Sequence, residues 1–176
     1  MKSLILVQRL QRKRPLQNLH LQNRHCRTPK ITSRLFKREL SETVFELGNE
    51  AGAGSAMKAV NQLLAGVHIS VMAEALTFGI SQGVTPAKFI EVISKCAGTS
   101  WMLENRAPHI VDGDYTPHSS VNIWPKDLGI VLDVAKNAKF DAPIASAALK
   151  QFKTAVDMGL GLEDDAAVAK VYAKSA

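Results

Sequence analysis

The sequence predicts an all-α fold: about six helices bundled around one long central helix, with a disordered or irregular basic extension at the N-terminus. Three observations predict it. From Met57 to Phe78 a proline-free run repeats apolar residues at three- and four-residue steps, the period of one helix face. Beyond Gly83, five shorter helical stretches carry their own start or stop signals. The charge is lopsided. From Met1 to Leu47 eleven Lys and Arg stand against three acids, a net of +8; from Gly48 onward eleven stand against thirteen, a net of −2.

Length and composition bound the answer. A chain of 176 residues suffices for one domain plus an extension. Apolar content of 46% with 22% charged residues is ordinary for a globular protein. No apolar run reaches the length that spans a bilayer, so no membrane partner is expected. Cys26 and Cys96 form neither a disulfide framework nor a metal-ligand spacing.

The division expected is 1–43 for the extension and 44–176 for the helical domain. Before Glu39 the extension has no acid, and it lacks the turn and core patterning of a folded unit. Disorder or a loose helix is expected up to about Leu40. An Arg-rich, acid-poor start fits a mitochondrial transit peptide, though serine is sparse. A basic arm also suits phosphate binding, but Phe36 is its one aromatic up to Leu40, too few for a stacking platform, so nucleic acid is not expected. The composition points first to a third reading, a mis-assigned start or shifted frame ahead of a real domain. Localisation is expected to be cytoplasmic, with mitochondrial as the alternative.

Thr43 to Gly48 reads as a short strand or extended linker. The long helix follows, with Ser55 as its expected cap and Gly83 as its stop. About 28 residues at 1.5 Å each would span about 42 Å. Met57, Val60, Leu64, Val67, Val71, Ala75 and Phe78 form its expected inward face. Its first turns hold the candidate chemistry. Lys58, Asn61 and Gln62 stand at i, i+3 and i+4, one ammonium beside two carboxamides. Gly54 leaves the backbone open to a ligand, and a helix start favours a carboxylate. Desolvation would push such a lysine toward use as a general base. Spacing alone also allows a solvated face, which is the commoner case.

Thr85-Pro86 caps and begins the second helix, with Phe89, Val92, Ile93 and Cys96 inward and Gly98 closing it. Thr99 or Ser100 starts the third, which runs to Ile110. There Trp101 is expected in the core or at a domain interface, and Glu104 and Arg106 in structural pairs. Asp112 to Tyr115 is a turn. Its two aspartates lack the rest of a calcium loop, and His109 and His118 on either side are expected to be solvated, so no metal site is expected. Asn122 to Ala138 is the fourth helix, with Leu128, Val131, Leu132 and Ala135 inward. Asp141-Ala142-Pro143 opens the fifth, with Ile144, Ala148, Phe152 and Val156 inward. Glu163, Asp164 and Asp165 lead the sixth, where the macrodipole favours acids, with Val168, Val171 and Tyr172 buried.

Five segments in order carry a family resemblance. Gly52 to Gly66, through Lys58-Ala59-Val60-Asn61-Gln62, resembles the lysine motif of the β-hydroxyacid dehydrogenases. That family includes the 3-hydroxyisobutyrate, tartronate semialdehyde, L-threonate and, more distantly, 6-phosphogluconate dehydrogenases. Ala97 to Arg106, Asp112 to Pro117, Lys126-Asp127-Leu128-Gly129 and Gly161 to Val168 continue the likeness, the last looking closest to the threonate-type branch. The resemblance spans about Val44 to Tyr172 and covers the family's C-terminal helical domain.

It implies that Lys58 is catalytic and that Gly54, Asn61 and Gln62 bind substrate. It implies that Lys126 reaches the cofactor, NAD or NADP, from a neighbouring helix. The family often has a second Asn at Gln62. Trp124 stands where an aromatic, commonly Phe, precedes the lysine by two, and Pro125 departs from a small apolar residue and could turn Lys126 slightly. The implied reaction is NAD(P)-linked oxidation of a 3-hydroxyisobutyrate- or threonate-like hydroxy acid, or its reverse. No Gly-x-Gly-x-x-Gly stands between a strand and a helix in this sequence, so little activity is expected of the polypeptide alone. The alternative is a truncated, non-catalytic helical module that dimerises, since this domain supplies much of the family's dimer interface.

Overall fold

In the computed structural model the described residues are 4–6, 44–47 and 51–173. The chain divides into two compact units, Met1–Lys58 and Ala59–Ala176. In the first, β1 (Leu4–Leu6) pairs antiparallel with β2 (Val44–Glu46), with Leu4 opposite Glu46 and Ile5 opposite Phe45. The strand expected near Val44 is therefore present. Leu4–Leu6, in the stretch expected to be disordered or loosely helical, is a strand too; Ile favours that conformation. The rest of the extension lies outside the described residues.

Six α-helices follow: α1 (Ala53–Ser81), α2 (Pro86–Ile93), α3 (Trp101–Asp112), α4 (Ile123–Asn137), α5 (Pro143–Asp157) and α6 (Ala169–Ala173). A 3-10 turn, Asp165–Val168, leads into α6. The boundary between the units falls inside α1.

α1 ends as its glycine foretells. Gly83 takes φ +83°, Val84 N–H donates to Gly79 O at 2.9 Å and Gly83 N–H to Ile80 O at 2.9 Å. This is the paired closure of a Schellman motif. The inward face of α1 is not the expected one. Ile69, Met72, Ala73 and Leu76 are buried, whereas Val60, Leu64, Val71, Ala75 and Phe78 are exposed, Phe78 by 64%. Of the expected set in this unit only Val67 packs against the core. The helix is apolar on several sides, so period alone could not choose between them. The buried side carries Gly66 and Ala73, whose small size lets a second helix approach. A Cβ on Gly66 would lie 2.8 Å from Trp124 Cε3 and 3.0 Å from Leu128 Cδ2.

The core of the second unit forms where Phe89, Leu103, Trp124, Leu128 and Phe152 meet that side. Trp124 and Phe152 stack with centroids 5.5 Å apart. A smaller cluster gathers Val131, Ala142 and Ala145, with Ala59 and Leu63 against it. α1 also overturns the expectation that nothing reaches bilayer length. It has 29 residues, with mean hydropathy 1.7 over an 18-residue window, one third of it buried in the fold. Isolated polar residues such as His68 and Ser70 interrupt the apolar run without lowering its average much.

The shorter helices hold to their caps more closely than to their expected faces. Thr85 Oγ1 accepts from Lys88 N–H at 3.3 Å and Ser100 Oγ from Leu103 N–H at 3.0 Å, both N-cap bonds. α2 stops at Ile93, short of Gly98, and leaves Cys96 exposed beyond it; Val92, inside the helix, is on its exposed side. Ile144 and Trp101 are exposed as well. Both stand in the first turn of a helix, at positions one and two, where the core-facing side begins only at Ala145 and Leu103.

Candidate active site

The lysine helix starts earlier than expected. Gly52, at φ +93°, accepts Ala56 N–H at 2.9 Å, so Gly52 and not Ser55 fills the cap position. Glycine reaches that φ without strain. Gly54 is then the second helical residue and Lys58 the sixth. Lys58 sits on the second turn, beyond the reach of the terminal dipole, which fades within the first. Its side chain is exposed. The desolvation invoked to favour the neutral amine is therefore not supplied at this position.

In the second unit the amides are ordered by a residue outside the expected set. Asn61 Nδ2 donates to Gln62 Oε1 at 3.2 Å, and Gln62 Nε2 donates to Asp127 Oδ2 at 2.5 Å. Lys126 Nζ lies 3.3 Å from Asp127 Oδ1. One carboxylate thus touches both an expected substrate ligand and the expected cofactor ligand. Asp127 is mostly buried and Lys126 is 69% exposed, so the carboxylate is the enclosed partner and the ammonium the one that faces solvent. Because Asp127 takes Gln62 Nε2, the Gln62 carbonyl faces Asn61. Among the described residues the Asn61 amide makes no other side-chain hydrogen bond, so its carbonyl and second N–H can meet a ligand.

This cluster depends on α4 lying close to α1, which Gly66 permits. Pro125, third in α4, falls in the first turn, where no amide donor is required. Trp124 is pinned at its other edge: its Nε1–H donates to Asp165 Oδ2 at 2.9 Å, and Arg106 Nε donates to Asp165 Oδ1 at 2.6 Å. Burial pushes the Asp165 carboxyl above its usual range, against the opposite pull of Arg106 and of the Trp124 N–H. Arg106 is in a structural pair, as expected. Glu104 instead accepts from Thr99 Oγ1 at 3.0 Å. Asp164 and Asp165 are fully buried. They cap and brace, where sequence reasoning saw only acids at a helix start. Asp127 was missed as a site residue although its signal was visible, directly beside Lys126 in the quoted motif.

The chain resembles characterised proteins over this region. Residues 52–172 match the family model described as NAD-binding of NADP-dependent 3-hydroxyisobutyrate dehydrogenase. L-threonate dehydrogenase from Cupriavidus necator is 53% identical over 129 residues, which are 73% of this chain and 43% of that protein. The Escherichia coli K12 enzyme of the same name is 50% identical over the same shares. Among solved structures, 3-hydroxyisobutyrate dehydrogenase from Salmonella typhimurium superposes with a TM-score of 0.70 at 48% identity, covering 72% of this chain and 45% of that one. A Mycobacterium tuberculosis 3-hydroxyisobutyrate dehydrogenase solved with L-serine gives 0.70 at 25% identity, covering 82% and 52%. The chain spans about 43% of the length of these curated L-threonate dehydrogenases.

Proposed function

The chain belongs to the NADP-dependent 3-hydroxyisobutyrate dehydrogenase family, and we propose that it supplies the substrate-handling helical half of an NAD(P)-linked hydroxyacid dehydrogenase. The observation that carries the reading is the order along α1, Lys58 one turn before Asn61 and Gln62, with Gln62 tethered to the carboxylate beside Lys126. The substrate proposed is a small 3-hydroxy acid of the 3-hydroxyisobutyrate or threonate kind.

In the oxidation, Lys58 as the amine accepts the proton of the substrate hydroxyl while the carbinol C–H bond breaks and the C=O bond forms. In the reduction, Lys58 as the ammonium returns that proton to the forming alkoxide. Asn61 holds the substrate, its N–H toward a carboxylate or its carbonyl toward a hydroxyl. Gln62 keeps the Asn61 amide turned outward. A nicotinamide cofactor, when bound, supplies the hydride acceptor. Lys126 fits that group: it is a largely exposed ammonium on the first turn of α4, able to meet a phosphate or ribose oxygen. Asp127 limits where its side chain rests.

The test is turnover by this chain fused to the nucleotide-binding half of the Cupriavidus necator enzyme. L-threonate and 3-hydroxyisobutyrate are supplied with NAD+ or NADP+. Lys58→Ala should lower the rate by about 10²–10⁴-fold, the loss typical of a positioned acid–base group. A Lys58→Ala fusion as fast as the parent would refute the assignment.

The exposed apolar side of α1 favours a second reading, self-association of this domain. Val60, Leu64, Val71 and Phe78 repeat along about five turns, an apolar stripe of the sort that marks association surfaces. Light scattering by the purified chain tests it, with a monomer at all concentrations as the contrary result.

A further inference from the structure

We propose that His109, His118 and Asp164 form a binding site for a divalent transition-metal ion of zinc type. His109 lies in the last turn of α3, His118 in the loop that follows, and Asp164 just before the 3-10 turn. One ligand atom from each lies within 4.8 Å of the other two. His109 Nδ1 is buried and has no hydrogen-bond partner among the described residues, although Asp164 Oδ1 is 3.3 Å away. A buried ring nitrogen that close to a carboxylate, yet out of line for a hydrogen bond, calls for a third atom between them.

The dimensions agree. Zinc–nitrogen and zinc–oxygen bonds of about 2.0–2.1 Å in a tetrahedron set neighbouring ligand atoms about 3.3 Å apart. His109 and Asp164 already stand at that separation. The two imidazoles meet edge to face with centroids 4.7 Å apart. His118 is exposed, so its ring can swing the remaining ångström or so inward. A water completes the fourth position, as in open zinc sites.

The carboxylate is held and still has capacity. Asp164 is fully buried. Its oxygens accept His118 N–H at 2.8 Å and Ala166 N–H at 3.0 Å, two of about four lone-pair sites. Its own N–H donates to Tyr115 O at 2.9 Å, which fixes it against the histidine loop. The local charge suits a cation. Arg106 Nε comes within 3.9 Å of Asp164 Oδ1 but is drawn to Asp165 at 2.6 Å. Asp114, exposed in the same loop, adds a further negative charge. Two imidazoles and one carboxylate select zinc, cobalt or nickel over magnesium or calcium, which prefer all-oxygen sets. The bound ion would tie the end of α3 to the 3-10 turn, at a place the proposed dehydrogenase chemistry does not use.

The experiment titrates the chelator-treated full chain with Zn²⁺ by calorimetry and with Co²⁺ by visible absorption. One ion per chain is expected, with the d–d bands of a four-coordinate cobalt site. His118→Ala and His109→Ala should each weaken binding at least about 10–100-fold, the loss that even an outer-shell partner causes. Circular dichroism confirms that the variants fold, and exposed His118 makes its variant the safer one. His20, His25 and Cys26 are a second zinc-competent group in the sequence; replacing all three with alanine should leave the one-to-one cobalt bands intact. Zinc binding that is absent, that survives both histidine variants, or that disappears with the His20, His25 and Cys26 replacements overturns the proposal. In the first case His109 and Asp164 are an ordinary imidazole–carboxylate contact.

Discussion

The two sides of α1 are nearly alike in sequence and opposite in fate. One side carries Ile69, Met72, Ala73 and Leu76, all essentially inaccessible; the other carries Val60, Leu64, Val71 and Phe78, all about half exposed or more. Hydrophobicity does not distinguish them. Contact distance does. Gly66 on the buried side leaves room for Trp124 and Leu128, and side chains packed at that density gain burial and dispersion together. The exposed side sets Val60, Leu64, Val71 and Phe78 at most of its turns, with Ala75 the small residue among them. Which stripe of an apolar helix becomes core is decided by where the partner can come closest.

The largest effect expected tests what holds the partner in place. Trp124 reaches α1 with its indole N–H fixed by Asp165, which also neutralises buried Arg106. Asp165→Ala leaves a guanidinium buried beside an unpaired indole N–H. Breaking a buried pair in this way costs about 3–5 kcal/mol, read as a fall in urea midpoint at unchanged slope. If Asp165→Ala is neutral, Trp124 is held by packing alone.

Next comes the direct contrast. Leu76→Ala on the buried side should cost about 2–5 kcal/mol, as transfer and cavity terms add. Leu64→Ala on the exposed side should stay within about 0.5 kcal/mol in a dilute monomer. Equal losses would mean that both sides are covered in solution, which denaturation at two protein concentrations would reveal.

Gly66→Ala is the third. Alanine improves helix propensity by about 1 kcal/mol over glycine. Against this, the new methyl would stand 2.8 Å from the Trp124 ring, which is stacked on Phe152 and cannot easily retreat. Overpacking costs about 1–3 kcal/mol, so the net effect should be destabilising. Displacement of α4 should also loosen the Gln62–Asp127 bond, and in the active fusion turnover should fall although residue 66 touches no substrate. A stabilised Gly66→Ala chain would show that α4 can shift freely.

Much of this was legible in the sequence. Helix number and most starts and stops followed from local signals: Thr85-Pro86, Ser100 and Gly83 work through bonds to neighbours three to five residues away. The lysine helix and its polar triplet were legible for the same reason. What was not legible depends on contacts distant in sequence. Gln62 meets Asp127 across 65 residues and Arg106 meets Asp165 across 59, and nothing local marks either pair. The start of α1 was misplaced by three residues because Gly52 caps through its carbonyl, whereas Ser55 had only the right side chain. The His109, His118 and Asp164 group is dispersed in the same way: one member sits at a helix end, one in a loop and one more than forty residues on.

The smallest effect on stability carries the most information about assembly. Val71→Glu places a charge in the middle of the exposed stripe. In an isolated monomer the carboxylate stays hydrated, and folding should change by no more than about 0.5 kcal/mol. In a self-associated chain the same carboxylate would be stripped of water with no cation to meet it: the stripe offers only Val, Leu, Ala and Phe, and Glu74 nearby is itself negative. An unpaired buried charge of that kind costs several kcal/mol, enough to shift an association constant by orders of magnitude. Sedimentation of the parent and of Val71→Glu across a concentration series separates the cases. A parent that self-associates and a variant that does not would make the exposed side an interface. Identical monomeric profiles would make it a surface, and the difference between the two sides of α1 would then belong wholly to the single chain.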